Sequence, residues 1–270
     1  MIIARYFDTF IIFSVIGWIY ECLYCTLKGG HWENRGFLFG PVCPIYGSAV
    51  VIAQIVFRLL PELPSHSDYP IWAIFAICFV GSAIIEYSTS WVLEKIFHAV
   101  WWDYSDMPFN LQGRVCLPCS LGFGAAGLLV IYGLYPLMNR IVTPEISVWK
   151  ELVSLFLMAV IAADAALTVS ALTGLAKTVE DMEDNLNRQM EAFVQDLRER
   201  GSDLEDALAA RRERLTVQHT EFAVHRMGHL QKSALRRVKV FRPGKNQERQ
   251  REYLQRVVAQ IRSYKEKKKK

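Results

Sequence analysis

The chain has 270 residues, 52% of them hydrophobic, and a formal net charge of +4. These averages combine two different regions, because residues 1–174 carry 8 basic and 12 acidic residues whereas residues 175–270 carry 23 and 15. Apolar runs of membrane-spanning length exclude a soluble globular protein, and the charge of the second region excludes its burial in lipid. The sequence therefore predicts an all-α protein, a polytopic membrane helix bundle followed by a charged, coiled-coil-like helical cytoplasmic tail.

Five apolar runs in the first region approach or exceed the roughly 20 residues that a helix needs to cross a ~30 Å hydrocarbon core. The first is interpreted as a permanent span rather than a cleaved signal, because it is long, Glu21 interrupts its end and no small-residue cleavage site follows. The transmembrane domain is predicted over residues 1–174, with spans at residues 6–27, 41–60, 70–92, 117–138 and 148–175.

The basic tail determines the predicted orientation, since Lys and Arg flanking a span favour the cytoplasmic side. We therefore expect a multi-pass protein of the cell inner (plasma) membrane with a cytoplasmic C-terminus. Residues around 28–40 and 93–116 would share the cytoplasmic face with the tail. The opposite connectors, "LLPELPSHSDYP" and "MNRIVTPEIS", have the composition of ordinary turns.

Three carboxylates within the predicted spans are candidate binding residues: Glu21, Glu86 and Asp164. An ionised carboxylate at membrane depth costs at least ~2.5 to 3.5 kcal/mol on insertion scales, so it usually faces the bundle interior or a wet cavity. Two alternatives remain open. Glu21 and Glu86 could be hydrated at the membrane interface, and Asp164 could make a structural hydrogen bond between helices.

Two arginines, Arg35 and Arg114, are the candidate counter-charges. An Arg guanidinium can bind a carboxylate in a bidentate manner, or a phosphate supplied by a substrate. Paired with Glu21 and Glu86, these arginines would complete a buried network, whereas unpaired they would form an anion site. The sequence leaves both possibilities open.

The segment "RGFLFGPVCPIYG" at residues 35–47 places glycines and prolines where the second span should begin. Proline removes an amide donor and glycine allows positive φ, so this span cannot begin as a regular helix. The segment predicts either a broken or re-entrant start that lines a cavity, or a tight loop followed by a late-starting helix.

The stretch Phe97–Gly124 ("FHAVWWDYSDMPFNLQGRVCLPCSLGFG") mixes aromatic and charged residues between two spans. A belt of aromatic residues at the headgroup level would account for its tryptophans alone. Such a belt does not require interleaved polar groups, so we predict a loop folded over a binding site at the cytoplasmic mouth. Its candidate binding residues are Trp102, Asp103, Asn110 and Arg114.

Two CxxC pairs, "CLYC" at 22–25 and "CLPC" at 116–119, could act as redox pairs or donate four thiolates to zinc. Thiols on a cytoplasmic face stay reduced, and a pair inside a helix end is poorly placed for tetrahedral coordination. Small buried thiols are the default interpretation, and neither a metal nor a cofactor is predicted.

Several spaced blocks together resemble a known family: "GWIYE" at 17–21, "RGFLFGPVCPIYG" at 35–47, "EYSTSWVLEKIFHAVWWDYSDMPFNLQGRVCL" at 86–117 and the following "SLGFG". The chain resembles small bacterial integral membrane proteins of the putative ABC-transporter type IV family over roughly residues 10–129. The resemblance implies a membrane permease component and indicates no particular substrate or reaction.

Beyond the spans, residues 175–240 repeat apolar positions at gaps of three, four and seven, which predicts a coiled-coil-like helix with a bend or hairpin at Gly201. Such a helix could join copies into a homo-oligomer. Residues 241–270 form a basic amphipathic tail that would attract anionic lipid headgroups at about 1 kcal/mol per Lys or Arg. Contact with RNA is an alternative.

The chain contains no GxxxxGK[ST], GxGxxG, GxSxG or HExxH motif. ATP-driven transport would therefore require a separate ATPase subunit. The sequence favours a permease-like or transport-associated component with a cytoplasm-facing polar site. The alternatives are a membrane-embedded enzyme acting on a lipid headgroup or isoprenoid phosphate, with Glu86 or Asp103 as acid/base, and a non-catalytic membrane scaffold.

Overall fold

The computed structural model describes the chain in segments. The connectors at 60–68 and 138–147, the predicted bend at Gly201 and the final lysine run lie outside the described residues. The segments described are residues 2–29, 34–59, 69–137, 148–200, 211, 213–215, 217–218, 224, 227–241 and 255–259.

Helices account for most of the described chain, as the apolar runs predict. Short two-residue strands, which were not predicted, occur between and after them. The helices are α1 (Ile2–Gly29), α2 (Pro44–Leu59), α3 (Ile71–Phe97), α4 (Leu117–Leu129, extended by a π-helical turn at Val130–Leu134), α5 (Val148–Arg200) and α6 (His229–Arg237).

Within the described residues, four helical segments are long and apolar enough to cross a membrane. The predicted all-α polytopic architecture is therefore confirmed. Helix α2 has only 16 residues, fewer than the roughly 20 that a perpendicular crossing requires, so a fifth crossing at residues 41–60 stays a prediction. The long segments are Arg5–Lys28, Ile71–Phe97, Leu117–Leu137 and Val148–Gly174.

The start of α2 follows the second of the two possibilities left by the sequence, a loop followed by a late-starting helix. Residues 34–43, here named the α1–α2 connector, are non-helical, and Gly36 adopts a φ of +117° that side chains rarely tolerate. The Cys43 amide donates to the Ser14 carbonyl of α1 at 2.9 Å. Helix α2 then begins at Pro44, where the missing amide costs nothing.

Close backbone approach fixes the helix contacts of this region. A Cβ added to Gly47 would overlap the Phe10 carbonyl oxygen, so α1 and α2 can pack this closely only with glycine there. In the same way, a Cβ on Gly127 would overlap the Cys78 thiol, so glycine allows α3 and α4 to pack closely. Small residues at helix contacts are the usual means of association between spanning helices.

The described chain divides into two compact units, Met1–Leu93 with Trp101–Ala166, and Glu94–Val100 with Leu167–Lys270. The first unit contains the hairpin of β2 (Asn110–Leu111) and β3 (Val115–Cys116). It also contains every candidate binding residue.

The second unit has an apolar core of its own. Strand β1 (Ala99–Val100) pairs antiparallel with β4 (Val240–Phe241), and the Lys239 amide donates to the Val100 carbonyl at 2.8 Å. Leu235 and Val257 are fully buried. The coiled-coil character predicted for residues 175–240 stays a prediction, since the structure describes only part of that segment.

Candidate functional site

Glu86 is the most enclosed carboxylate among the candidates. It lies on α3, one of the apolar spanning helices of the first unit, and only 6% of its surface is exposed. The Tyr104 hydroxyl donates to Glu86 Oε1 at 3.3 Å. The second oxygen, Oε2, is buried and has no hydrogen-bond partner among the described residues. A buried acceptor left in this state costs ~1 to 3 kcal/mol, and more when it is charged.

Glu21 lies close to Glu86. The Tyr46 hydroxyl of α2 donates to Glu21 Oε1 at 2.5 Å, and the Cys25 thiol lies 3.9 Å from Oε2. The two glutamates are near enough to interact electrostatically. We refer to Glu21, Tyr46, Glu86 and Tyr104 as the carboxyl cluster.

Tyr104 lies outside the spanning helices and links this cluster to the loop after α3. Burial, followed by the charges of Glu86 and nearby Cys119, raises the pKa of Tyr104 above its ordinary value. Its hydroxyl therefore stays protonated and can only act as a donor toward a carboxylate. Cys119, in the first turn of α4, lies within hydrogen-bonding reach of the same hydroxyl.

The loop of Trp101–Cys116, here named the rim loop, is held by its own polar side chains. Asp103 Oδ1 accepts hydrogen bonds from the amide and hydroxyl of Ser105, at 3.1 and 2.6 Å. Asn110 donates to the Ser105 and Met107 carbonyls and accepts from the Gly113 amide. Asp103 and Asn110 are therefore engaged in shaping the loop.

The β2–β3 hairpin closes this loop through a tight turn. Gln112 and Gly113 have φ values of +55° and +68°, and the Arg114 amide donates to the Leu111 carbonyl at 3.0 Å. Positive φ at both central residues is the mark of a type I′ turn, whose twist matches that of a hairpin. Phe109, just before the hairpin, also has a positive φ and is 84% exposed.

Arg114 and Trp102 connect the hairpin to the rest of the rim loop. The Trp102 indole N–H donates to the Arg114 carbonyl at 2.9 Å. The Arg114 side chain is buried, and its guanidinium lies 5.5 Å from the centre of the Tyr87 ring. Such a cation–π contact is worth ~0.5 to 2 kcal/mol.

Asp164 binds the α1–α2 connector. Its two oxygens accept hydrogen bonds from the amides of Phe39 and Gly40, at 2.9 and 2.7 Å. A Cβ on Gly40 would lie 2.9 Å from the same carboxylate, so the close approach requires glycine. Both Asp164 oxygens therefore accept hydrogen bonds from the connector backbone. The sequence had predicted either a position facing a cavity or a hydrogen bond between helices.

Arg35 lies in the same connector. Its amide donates to the Cys22 thiol at 3.3 Å, and the neighbouring Asn34 accepts a hydrogen bond from the Trp18 indole at 2.9 Å. All six cysteines are free thiols, and no group of three or more potential metal ligands occurs among the described residues.

The charges of Glu21 and Glu86 thus act on each other, whereas the other predicted binding residues make separate contacts: Arg35, Trp102, Asp103, Asn110, Arg114 and Asp164. The hydroxyl donors to the two glutamates are Tyr46 and Tyr104, and neither tyrosine was predicted as a site residue. One signal was available for Tyr46. The start of α2 and the end of α1 share one membrane face if both helices cross, which places a tyrosine near Glu21.

The arrangement is that of a polytopic α-helical membrane protein with a partly satisfied carboxyl site on its spanning helices. The family described as "Putative ABC-transporter type IV" matches residues 9–169. The chain belongs to this family, which confirms the resemblance in the sequence. No curated protein and no solved structure matches the chain. Family and helices together fit a membrane protein associated with transport.

Proposed function

We propose that the protein is a permease-like component in which the carboxyl cluster is the polar site for a transported solute, open toward the cytoplasm. The observation that carries this proposal is the buried Oε2 of Glu86, which has no hydrogen-bond partner among the described residues. Ionisable groups at membrane depth are expensive and mark pathways for ions or substrates more often than structural contacts.

The comparison with Asp164 supports this assignment. Asp164 shows that this fold can satisfy a carboxylate on a spanning helix with two backbone amides. Among the described residues, Glu86 receives a single hydrogen bond, 3.3 Å long, and its Oε2 has no partner. A polar group supplied by a solute would complete the set of partners of Glu86.

The rim loop would cover this site. Tyr104 is part of the loop and donates to Glu86, so a displacement of the loop would break that hydrogen bond and uncover the carboxyl group. The Asp103–Ser105 and Asn110 contacts would let the loop move as one folded piece.

Other parts of the proposal concern partners. Since the chain carries no nucleotide-binding motif, a separate ATPase subunit would provide the energy of ATP-driven transport. The basic residues 241–270 would bind anionic lipid headgroups of the inner leaflet, and the helical tail could join two copies.

The test compares cells that express the wild-type chain, Glu86→Gln or Glu151→Gln in a strain without its own copy. Glu151 is a matched control, because it lies on spanning helix α5 and is half-exposed. Untargeted measurement of intracellular and external solutes should show at least one solute whose distribution follows the wild-type chain, is lost with Glu86→Gln and is retained with Glu151→Gln. Equal solute distributions for wild type and Glu86→Gln, at equal membrane abundance, would refute the proposal.

A further inference from the structure

Among the described residues, the groups that contact the two glutamates of the carboxyl cluster carry no positive charge. Glu21 and Glu86 interact electrostatically, and each receives a hydroxyl hydrogen bond from a tyrosine. The tyrosines are neutral donors, so they stabilise a carboxylate without removing its charge. Two neighbouring carboxylates in a medium of low dielectric constant resist ionising together.

In the described part of the chain, the other groups that lie near the cluster do not supply a positive charge either. Cys119 faces Glu86 from α4, Cys25 faces Glu21 from α1, and Tyr20 lies beside Glu21. All three are neutral or anionic when they titrate. Arg114 lies against the Tyr87 ring, at the position that follows Glu86 in the chain.

We propose that the Glu21–Glu86 pair holds one exchangeable positive charge at Glu86 Oε2, carried either by a proton or by a cationic solute that displaces it. When the proton occupies the site, Glu86 is a neutral carboxylic acid. When the cation binds, the proton leaves to water and the carboxylate becomes the counter-ion. This inference rests on the proposed function for the solute, and it specifies that the solute is a cation.

Carbodiimide labelling tests the proton directly. Dicyclohexylcarbodiimide adds a protonated carboxyl group across its C=N bond, and the O-acylisourea rearranges to a stable N-acylurea, so only the acid form in an apolar site is efficiently trapped. Native membranes containing the full chain would be labelled at a series of pH values, and the modified peptides would be quantified by mass spectrometry. We expect Glu86 to be labelled about tenfold faster than Glu151, with a rate that falls as the pH rises.

Cations added at constant ionic strength identify what displaces the proton. Methylammonium serves as the probe for an ammonium group, sodium and potassium serve as probes for a metal ion, and each should slow labelling of Glu86 only if it enters the site. Protection by at least one of them supports the exchange. A labelling rate at Glu86 that none of the three cations changes, or one equal to that of Glu151, would overturn the proposal.

Two variants provide readouts that a structural role for Glu86 would not produce. Tyr104→Phe removes the donor that favours the carboxylate, so labelling of Glu86 should become faster. Glu21→Gln removes the neighbouring negative charge, so Glu86 should ionise more readily and be labelled more slowly. Slower labelling of Glu86 in Tyr104→Phe, or faster labelling in Glu21→Gln, would contradict the shared charge.

The outcomes also separate this inference from the proposed function. If Glu86 is labelled and protected by a cation while solute distributions in cells do not depend on Glu86, the exchangeable charge stands and the transport role fails. If solute distributions depend on Glu86 but labelling is absent or insensitive to cations, the transport role stands and the exchangeable charge fails.

Discussion

Asp164 and Glu86 are carboxylates on apolar spanning helices of the same compact unit, yet their hydrogen-bond partners differ. Both Asp164 oxygens accept backbone amides of the α1–α2 connector, at 2.9 and 2.7 Å. Glu86 is more deeply buried, and one of its oxygens has no hydrogen-bond partner among the described residues. The first contact positions a loop, whereas the second leaves an acceptor available.

The difference shows that two carboxylates on spanning helices can have different roles, which their hydrogen-bond partners indicate. Backbone amides are fixed donors, so a carboxylate that binds two of them is part of the fold. A carboxylate with a single side-chain donor keeps the freedom to exchange a proton or to bind a ligand. Removing the charge of Asp164 should therefore mainly reduce stability, whereas removing the charge of Glu86 should mainly reduce function.

The largest loss of stability is expected from Asp164→Ala. The substitution leaves the Phe39 and Gly40 amides without their acceptor, which should lower the free energy of unfolding by about 3 kcal/mol. Thermal unfolding of the purified full chain in mild detergent measures this change. Asp164→Asn keeps one acceptor and should lie between the wild type and Asp164→Ala. A loss below that of Glu86→Gln would remove the contrast between the two carboxylates.

Gly40→Ala should destabilise the same contact by roughly 2 kcal/mol, because the new Cβ would lie 2.9 Å from Asp164 Oδ2 and push it from the amides. Gly122→Ala is the matched control on α4, where a Cβ meets nothing within 4 Å. The control should be neutral or slightly stabilising, since alanine favours helix. If Gly40→Ala and Gly122→Ala unfold at the same temperature, the contact between Asp164 and residue 40 does not require glycine.

Asn110→Ala should weaken the rim loop by about 1 kcal/mol, because three hydrogen bonds are lost in an exposed segment. Limited proteolysis should cleave residues 101–116 faster in this variant, with little change in global unfolding. Asp106→Asn, an exposed neighbour in the same loop, serves as the control and should be cleaved at the wild-type rate. Equal cleavage rates for Asn110→Ala and Asp106→Asn would show that Asn110 does not stabilise the loop.

Glu86→Gln should have the smallest effect on stability, within about 1 kcal/mol of zero, because the amide keeps an acceptor for Tyr104 and removes an unbalanced charge. The same detergent unfolding assay measures it alongside Asp164→Asn. A loss of several kcal/mol in Glu86→Gln would give Glu86 the same structural role as Asp164 and would remove the contrast between them.

The spans could be predicted from sequence because a bilayer restricts the backbone to a few solutions. Every amide must be satisfied within the segment, so long apolar runs at 6–27, 70–92, 117–138 and 148–175 read directly as helices. The starting point of α2 was predictable only as one of two possibilities, since Pro44 can begin a helix but does not require it.

The partners of the carboxylates could not be predicted, because they depend on which side chains meet in three dimensions. Arg35 and Arg114 had the right charge to pair with Glu21 and Glu86, but tyrosines from α2 and the rim loop provide the donors. Asp164 is more than 120 positions from the amides it binds. No local pattern in the sequence reports a contact at that separation.

The pairing of Ala99–Val100 with Val240–Phe241 has a consequence for biosynthesis. The first strand is synthesised before helices α4 and α5, and its partner strand follows only after both of them. The hydrogen-bonding edge of Ala99–Val100 is therefore unpaired with Val240–Phe241 while the later helices are inserted. A chain that terminates prematurely before Val240 keeps this edge open, and proteolytic quality control can recognise it as incomplete.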